Sequence, residues 1–119
     1  MRLWHVDLLP LLPRQQLLGQ HREACALRGA GWGKKHATVD YVFTHPYSWL
    51  FGYHAEVMRE MKRRGYHVEP LWTVQNYRGK ILQYDSSSFC AGTYQRYPEH
   101  NAAYYAECIE NLAGKGVVI

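Results

Sequence analysis

The chain has 119 residues, 47% of them apolar and 20% charged, with 14 Lys plus Arg against 10 Asp plus Glu and a formal charge of +4. That length supports one modest hydrophobic core and is too short for two, and the balance of apolar to charged residues excludes wholesale disorder and a coiled coil. The charge favours a polyanionic partner without requiring one, and seven histidines add to it as the pH falls.

The N-terminal stretch MRLWHVDLLPLLPRQQ contains an apolar run, but Asp7, Pro10 and Pro13 interrupt it and no small-residue cleavage site follows. No other segment approaches the roughly 18 apolar residues of a membrane span. Cys25, Cys90 and Cys108 form an odd set without Cys-x-x-Cys spacing, as expected of reduced intracellular thiols. A cytoplasmic protein with no membrane partner is the expectation.

The first predicted helix is PRQQLLGQHREACAL, residues 13 to 27. Leu17, Leu18, His21, Ala24 and Cys25 recur with the spacing of a core-facing stripe, Pro13 suits a first turn, and GAGWG at 29 to 33 ends the helix. At about 100° per residue, Gln15, Gly19, Arg22, Glu23 and Ala26 fall on the opposite side, with Gln16 beside them. Gly19 there costs roughly 1 kcal/mol relative to alanine without making room in the core. Either a surface glycine is tolerated, or another backbone approaches closely. Arg22 and Glu23 are adjacent and so are not a helix-stabilising pair of the i, i+4 kind. They form either a solvated charged face or a guanidinium and a carboxylate converging on a phosphate-rich ligand, where arginine binds phosphate and glutamate moves protons. Lys34 and Lys35 suit a backbone phosphate or solvent. GAGWGKK does not follow a strand, which makes it a weak candidate for a phosphate-cradling loop.

The second helix is predicted from about Pro46 to Arg64, with Leu50, Tyr53, His54, Val57, Met58 and Met61 inward. KRRG closes it, three cations meeting the negative end of the dipole and Gly65 taking a left-handed cap. The third runs from about Pro98 to Ala113, with Tyr105, Cys108, Ile109 and Leu112 inward and Gly114 as its cap. Between them, residues 68 to 97 lack a helical period. VEPLWTVQ (68–75) and KILQY (80–84) are the best strand candidates there. The expected fold is mainly α: one compact domain, 1–119, of three helices with long irregular connections and short strands. The histidines lack His-x-x-x-His or Cys/His zinc spacing, and His54 lies in an apolar stripe, so no metal is expected.

In chain order, QQLLGQHRE (15–23), MKRRGY (61–66) and YPEHNAAYYAECIENL (97–112) resemble the pyrimidine-dimer DNA glycosylases, small phage and algal-virus repair enzymes. The opening MRLWH is similar to a bacterial branch of that family. The resemblance implies a compact set of helices whose N-terminal α-amine attacks the sugar carbon bearing the damaged base and forms a Schiff base. An α-amine suits this, because its pKa near 7.7 to 8.0 leaves a useful neutral fraction at physiological pH. Glu23 matches the helix glutamate that stabilises the cationic intermediate and assists strand breakage. Arg22 matches the phosphate-binding arginine beside it. Family members flip a base and kink the duplex, which needs close backbone approach and would account for Gly19.

The chain departs from the family in three places. Arg2 is too bulky for removal of the initiator residue, so the amine is that of Met1, and MRL then aligns with the mature start of the viral enzymes, placing Arg2 on their DNA-contacting arginine. Ala26 stands where those enzymes carry arginine, and GKGVVI replaces their aromatic tail.

The resemblance therefore implies a DNA glycosylase with abasic-site lyase activity on damaged double-stranded DNA, with Met1, Glu23 and Arg22 in the reaction and no cofactor. Arg2, Gln15, Gln16 and Gly19 would meet the DNA, with Lys34 and Lys35 as outer contacts. Two other functions fit the same residues: a non-catalytic nucleic-acid-binding module, and a nucleotide or nucleoside hydrolase in which Glu23 activates water.

Overall fold

The computed structural model describes residues 2–82 and 95–119. The described α-helices are α1 (Arg14–Arg28), α2 (Tyr47–Arg63), the single turn α3 (Gly79–Leu82) and α4 (Ala102–Gly114), with 3-10 turns at Val6–Leu11, Asp40–Thr44 and Pro70–Thr73. Among the described residues there is no strand, only an isolated bridge at Tyr77. The mainly α, single-core expectation holds, and the three long helices lie within a few residues of their predicted spans. α4 begins later than expected because Asn101 caps it, its side chain accepting from the Tyr104 N–H at 2.9 Å.

The core forms where α1 packs against α2 and the N-terminal segment closes over both. On α2, Leu50, Tyr53, His54, Val57, Met58 and Met61 are all buried, as their period dictates. Gly65 ends that helix with φ +82°, the left-handed conformation that costs glycine no Cβ clash. On α1 the inward stripe is rotated from the predicted one. Leu17, Gln20, Ala24, Leu27 and Arg28 are buried, whereas Leu18, His21 and Cys25 are only half-buried.

The rotation has a polar cause. Arg28 is fully buried with no carboxylate partner among the described residues, and its guanidinium instead donates to the carbonyls of Trp72 (2.7 Å), Val74 (2.9 Å) and Tyr77 (3.1 Å) and to the Tyr47 hydroxyl (2.9 Å). Trp72 and Phe51 rings lie 5.0 Å from its charge. This also explains why VEPLWTVQ is not a strand. Pro70 starts a 3-10 turn, and the carbonyls that a neighbouring strand would have taken point at Arg28. KILQY is likewise not a strand as far as it is described: its first three residues belong to α3, and residues 83 and 84 lie outside the described residues.

GAGWG serves packing. A Cβ at Gly31 would sit 2.7 Å from the Ala26 carbonyl oxygen, so only glycine lets the chain fold back over the end of α1.

Candidate active site

The first residues of the chain are held by side chains from three helices. From α1, buried Gln20 donates through Nε2 to the Arg2 carbonyl (3.0 Å) and accepts at Oε1 from the Trp4 N–H (2.6 Å). From α2, Tyr53 donates to the Trp4 carbonyl (2.7 Å); from α4, Tyr104 donates to the Leu3 carbonyl. This fixes residues 2 to 4 against α1, the helix that carries Arg22 and Glu23.

Between that segment, the outer side of α1 and the end of α4 lies a cleft of about 450 Å³. Gln15, Gln16, Gly19, Gln20, Arg22 and Glu23 line it from α1, and Arg2 and Trp4 from the N-terminal segment. Thr38, Asn111 and Lys115 complete it. Arg2, Arg22 and Lys115 face one carboxylate, so the cleft attracts anions. Gly19 leaves room in its wall, since a Cβ there would meet nothing closer than Arg22 Nη2 at 3.7 Å.

Glu23 is the one carboxylate among the described residues that line the cleft. Its Oε2 is shielded from solvent and has no hydrogen-bond partner among the described residues, although buried carboxylate oxygens are ordinarily satisfied. A group that enters the cleft with a proton or a positive charge would satisfy it. Arg2 is already engaged, its Nη1 2.9 Å from Glu107 Oε2 and its guanidinium 5.7 Å from the Tyr104 ring.

Of the residues singled out in the sequence, Arg2, Gln15, Gln16, Gly19, Arg22 and Glu23 meet in this one cleft. Lys34 and Lys35 do not line it and are exposed on the turn after α1. Met1 lies outside the described residues. Gln20, Trp4, Thr38, Asn111 and Lys115 were not singled out. Gln20 is a polar residue on a helix judged by its apolar ones, and the other four reach the cleft from elements that only tertiary packing brings together. Asn111 and Lys115, i and i+4 at the end of α4, carry the only sequence hint, since that spacing puts both on one helix face.

A second cluster lies on the opposite side of α1. His21 and His54 share a hydrogen bond, Nδ1 to Nε2 2.8 Å, with Cys25 Sγ 3.8 Å from each ring's Nε2. His21 and Cys25 are one helical turn apart, a spacing that joins His54 only through the fold. These are the described residues that could hold a metal ion, with ligand atoms within 4.8 Å of one another. Arg28 opposes that use. Its Nη1 lies 2.8 Å from His54 Nδ1, which must accept, so the proton of His54 sits on Nε2, the atom that faces the cluster. Burial, with Arg28 and His21, holds His54 well below the ordinary histidine pKa; burial, with Arg22 and Arg28, lowers His21. Burial pushes the Cys25 thiol up to about 11, so it is not a thiolate nucleophile at neutral pH.

Among the described residues no helix is long and apolar enough to cross a membrane. A family model described as pyrimidine dimer DNA glycosylase matches residues 1–74. The match spans the N-terminal segment, α1 and α2, and stops before α4. No curated protein and no solved structure matches the chain.

Proposed function

The chain belongs to the pyrimidine dimer DNA glycosylase family, and from that premise we propose that the cleft receives damaged double-stranded DNA and that the Met1 α-amine and Glu23 act on the deoxyribose inside it. The observation that carries this reading is the solvent-shielded Oε2 of Glu23, without a partner among the described residues, in a cleft lined by Arg2, Arg22 and Lys115.

The neutral amine donates its lone pair to C1′ as the glycosidic bond breaks and the base leaves with that bonding pair, taking up a proton. An amine proton then passes to the ring oxygen as the C1′–O4′ bond opens, leaving a 4′-hydroxyl and a protonated imine. The carboxylate of Glu23 stabilises that cation, and its free lone pairs accept the proton removed from C2′ when the 3′ phosphate is expelled. Water finally hydrolyses the imine and frees the amine. Arg2 and Arg22 bind flanking phosphates, Gln15 and Gln16 hydrogen-bond the sugar-phosphate backbone, and Gly19 lets that backbone come close. Lys34 and Lys35 extend the cationic track beyond the cleft.

Borohydride trapping on a duplex with one abasic site tests this reading. The expected result is a covalent one-to-one adduct that disappears when the α-amine is acetylated, with Glu23→Gln lowering strand breakage at least about 100-fold while duplex binding persists. No adduct at large protein excess would remove the lyase claim, leaving a binding module if the duplex is still bound. An adduct that survives acetylation would transfer the nucleophile to another amine, Lys115 being the one in the cleft.

A further inference from the structure

We infer that Gln20 is the positioning residue for the reaction, its side-chain amide setting where the N-terminal amine stands relative to Glu23; this rests on the reading of Met1 as nucleophile.

Gln20 makes no use of water. It is 2% exposed, and both ends of its amide are taken by the main chain of the N-terminal segment, the Arg2 carbonyl at Nε2 (3.0 Å) and the Trp4 N–H at Oε1 (2.6 Å). A carbonyl only accepts and an N–H only donates, so the amide can sit only one way round. The carbonyl of one residue and the N–H of the second residue after it project to one side, as in a strand, and a single amide serves as the whole partner strand. Tyr53 reinforces the clasp from α2, its hydroxyl 2.7 Å from the Trp4 carbonyl and 3.0 Å from Gln20 Oε1.

Gln20 and Glu23 are i and i+3 on α1, side chains that are neighbours on a helix surface. The clasp therefore ties the Arg2 carbonyl to the residue one turn before the carboxylate, in the cleft that both line. In the proposed reaction the attacking nitrogen is tied to that carbonyl through no more than about 7 Å of main chain, so an anchor at residue 2 bears directly on where the amine can reach. A helix built only for packing gains nothing from a buried glutamine that leucine would not supply. The amide is explained by the need to hold polar main chain in place.

The proposal predicts a split between chemistry and binding. Gln20→Met keeps the volume and removes both hydrogen bonds. In single-turnover trapping at saturating protein it should form the imine at least about 10-fold more slowly, since misplacement by an ångström costs reactions of this kind up to about 100-fold. Kd for the abasic duplex should change by less than about threefold. Val57→Ala, a core truncation on α2 away from the cleft, controls for stability and should trap at the wild-type rate.

If Gln20→Met traps at the wild-type rate, or if Val57→Ala slows trapping equally, the positioning role is overturned. A fall in affinity that accounts for the whole loss also overturns it and makes Gln20 a DNA contact. Should Gln20→Met fail to fold, Tyr53→Phe, which loosens the same clasp, decides: slower trapping at unchanged Kd supports the role, and an unchanged rate removes it. A wild-type chain that traps nothing while binding the duplex would refute the amine mechanism itself, and with it any need to position the amine.

Discussion

Arg2 and Glu107 are joined at 2.9 Å, so an arginine that lines the cleft is held by a carboxylate of α4. Glu107 is half exposed, and such a pair contributes less than about 1 kcal/mol to stability. Its effect should fall on binding. Glu107→Gln frees Arg2 for a phosphate, so duplex affinity at low salt should rise about two- to fivefold and the salt slope steepen by about one ion. Weaker binding by this variant, measured by fluorescence anisotropy across a salt series, would rule out Arg2 as a phosphate contact.

Gly19→Ala separates the two readings of that glycine. The added methyl meets only Arg22 Nη2 at 3.7 Å, an ordinary contact, so the free protein should gain about 0.5 to 1 kcal/mol from the better helix former. A DNA backbone lying close to α1 would meet that methyl. The expected outcome is a higher urea midpoint together with weaker duplex binding; a higher midpoint with unchanged binding would make Gly19 a tolerated surface residue.

Arg28→Met tests the carbonyl cage. Methionine retains the apolar stem but leaves the carbonyls of Trp72, Val74 and Tyr77 without their donor. The buried Tyr77 acceptor costs about 1 kcal/mol or more and the part-buried Trp72 and Val74 acceptors less, so a loss of about 2 kcal/mol is expected in urea unfolding. Arg28→Lys should recover only part of it, because one ammonium cannot reach the span covered by a guanidinium fork. A loss under about 1 kcal/mol for Arg28→Met would show that water replaces the cage.

Stability should fall as the pH drops below about 6.5. His100 accepts from the Val6 N–H at Nδ1 (3.2 Å) and faces the Tyr41 hydroxyl at Nε2 (2.7 Å); burial, reinforced by His5 and Arg96, pushes its pKa down to about 3. The unfolded chain takes up this proton near pH 6.5 and the folded chain only near pH 3, so between those values the unfolded state binds more protons and each step toward acid favours it. The full shift is worth about 5 kcal/mol, and His54 adds in the same direction. Urea midpoints should decline from pH 7.5 to pH 5, with a shallower decline in His100→Gln, whose amide can still accept from Val6. A flat profile would contradict the burial of a neutral ring.

Residues with one task were legible in the sequence. The predicted stripe of α2 is apolar apart from His54 and all six of its residues are buried, although Ser48 and Glu60, which spacing does not mark, are buried on that helix too. On α1 the same reasoning points the stripe toward Leu18, His21 and Cys25, because apolar periodicity gives no weight to Gln20 and Arg28, whose burial is bought by main-chain partners at residues 2 to 4 and 72 to 77. The cleft was half legible for a related reason. Gln15, Gln16, Gly19, Arg22 and Glu23 share one helix face and announce themselves together, but Thr38 and Lys115 join them only through packing. The His21–His54 bond spans 33 positions and has no local signature.

If the Met1 amine is the nucleophile, the clasp of Gln20 on Arg2 also makes chain length a catalytic variable. Main chain anchored at residue 2 cannot slide to accommodate an addition at its start, so each residue placed ahead of Arg2 carries the terminal nitrogen outward by about 3.5 Å, more than a hydrogen bond's length. A purification scar of a single residue would then leave the fold and the cleft intact and silence the amine.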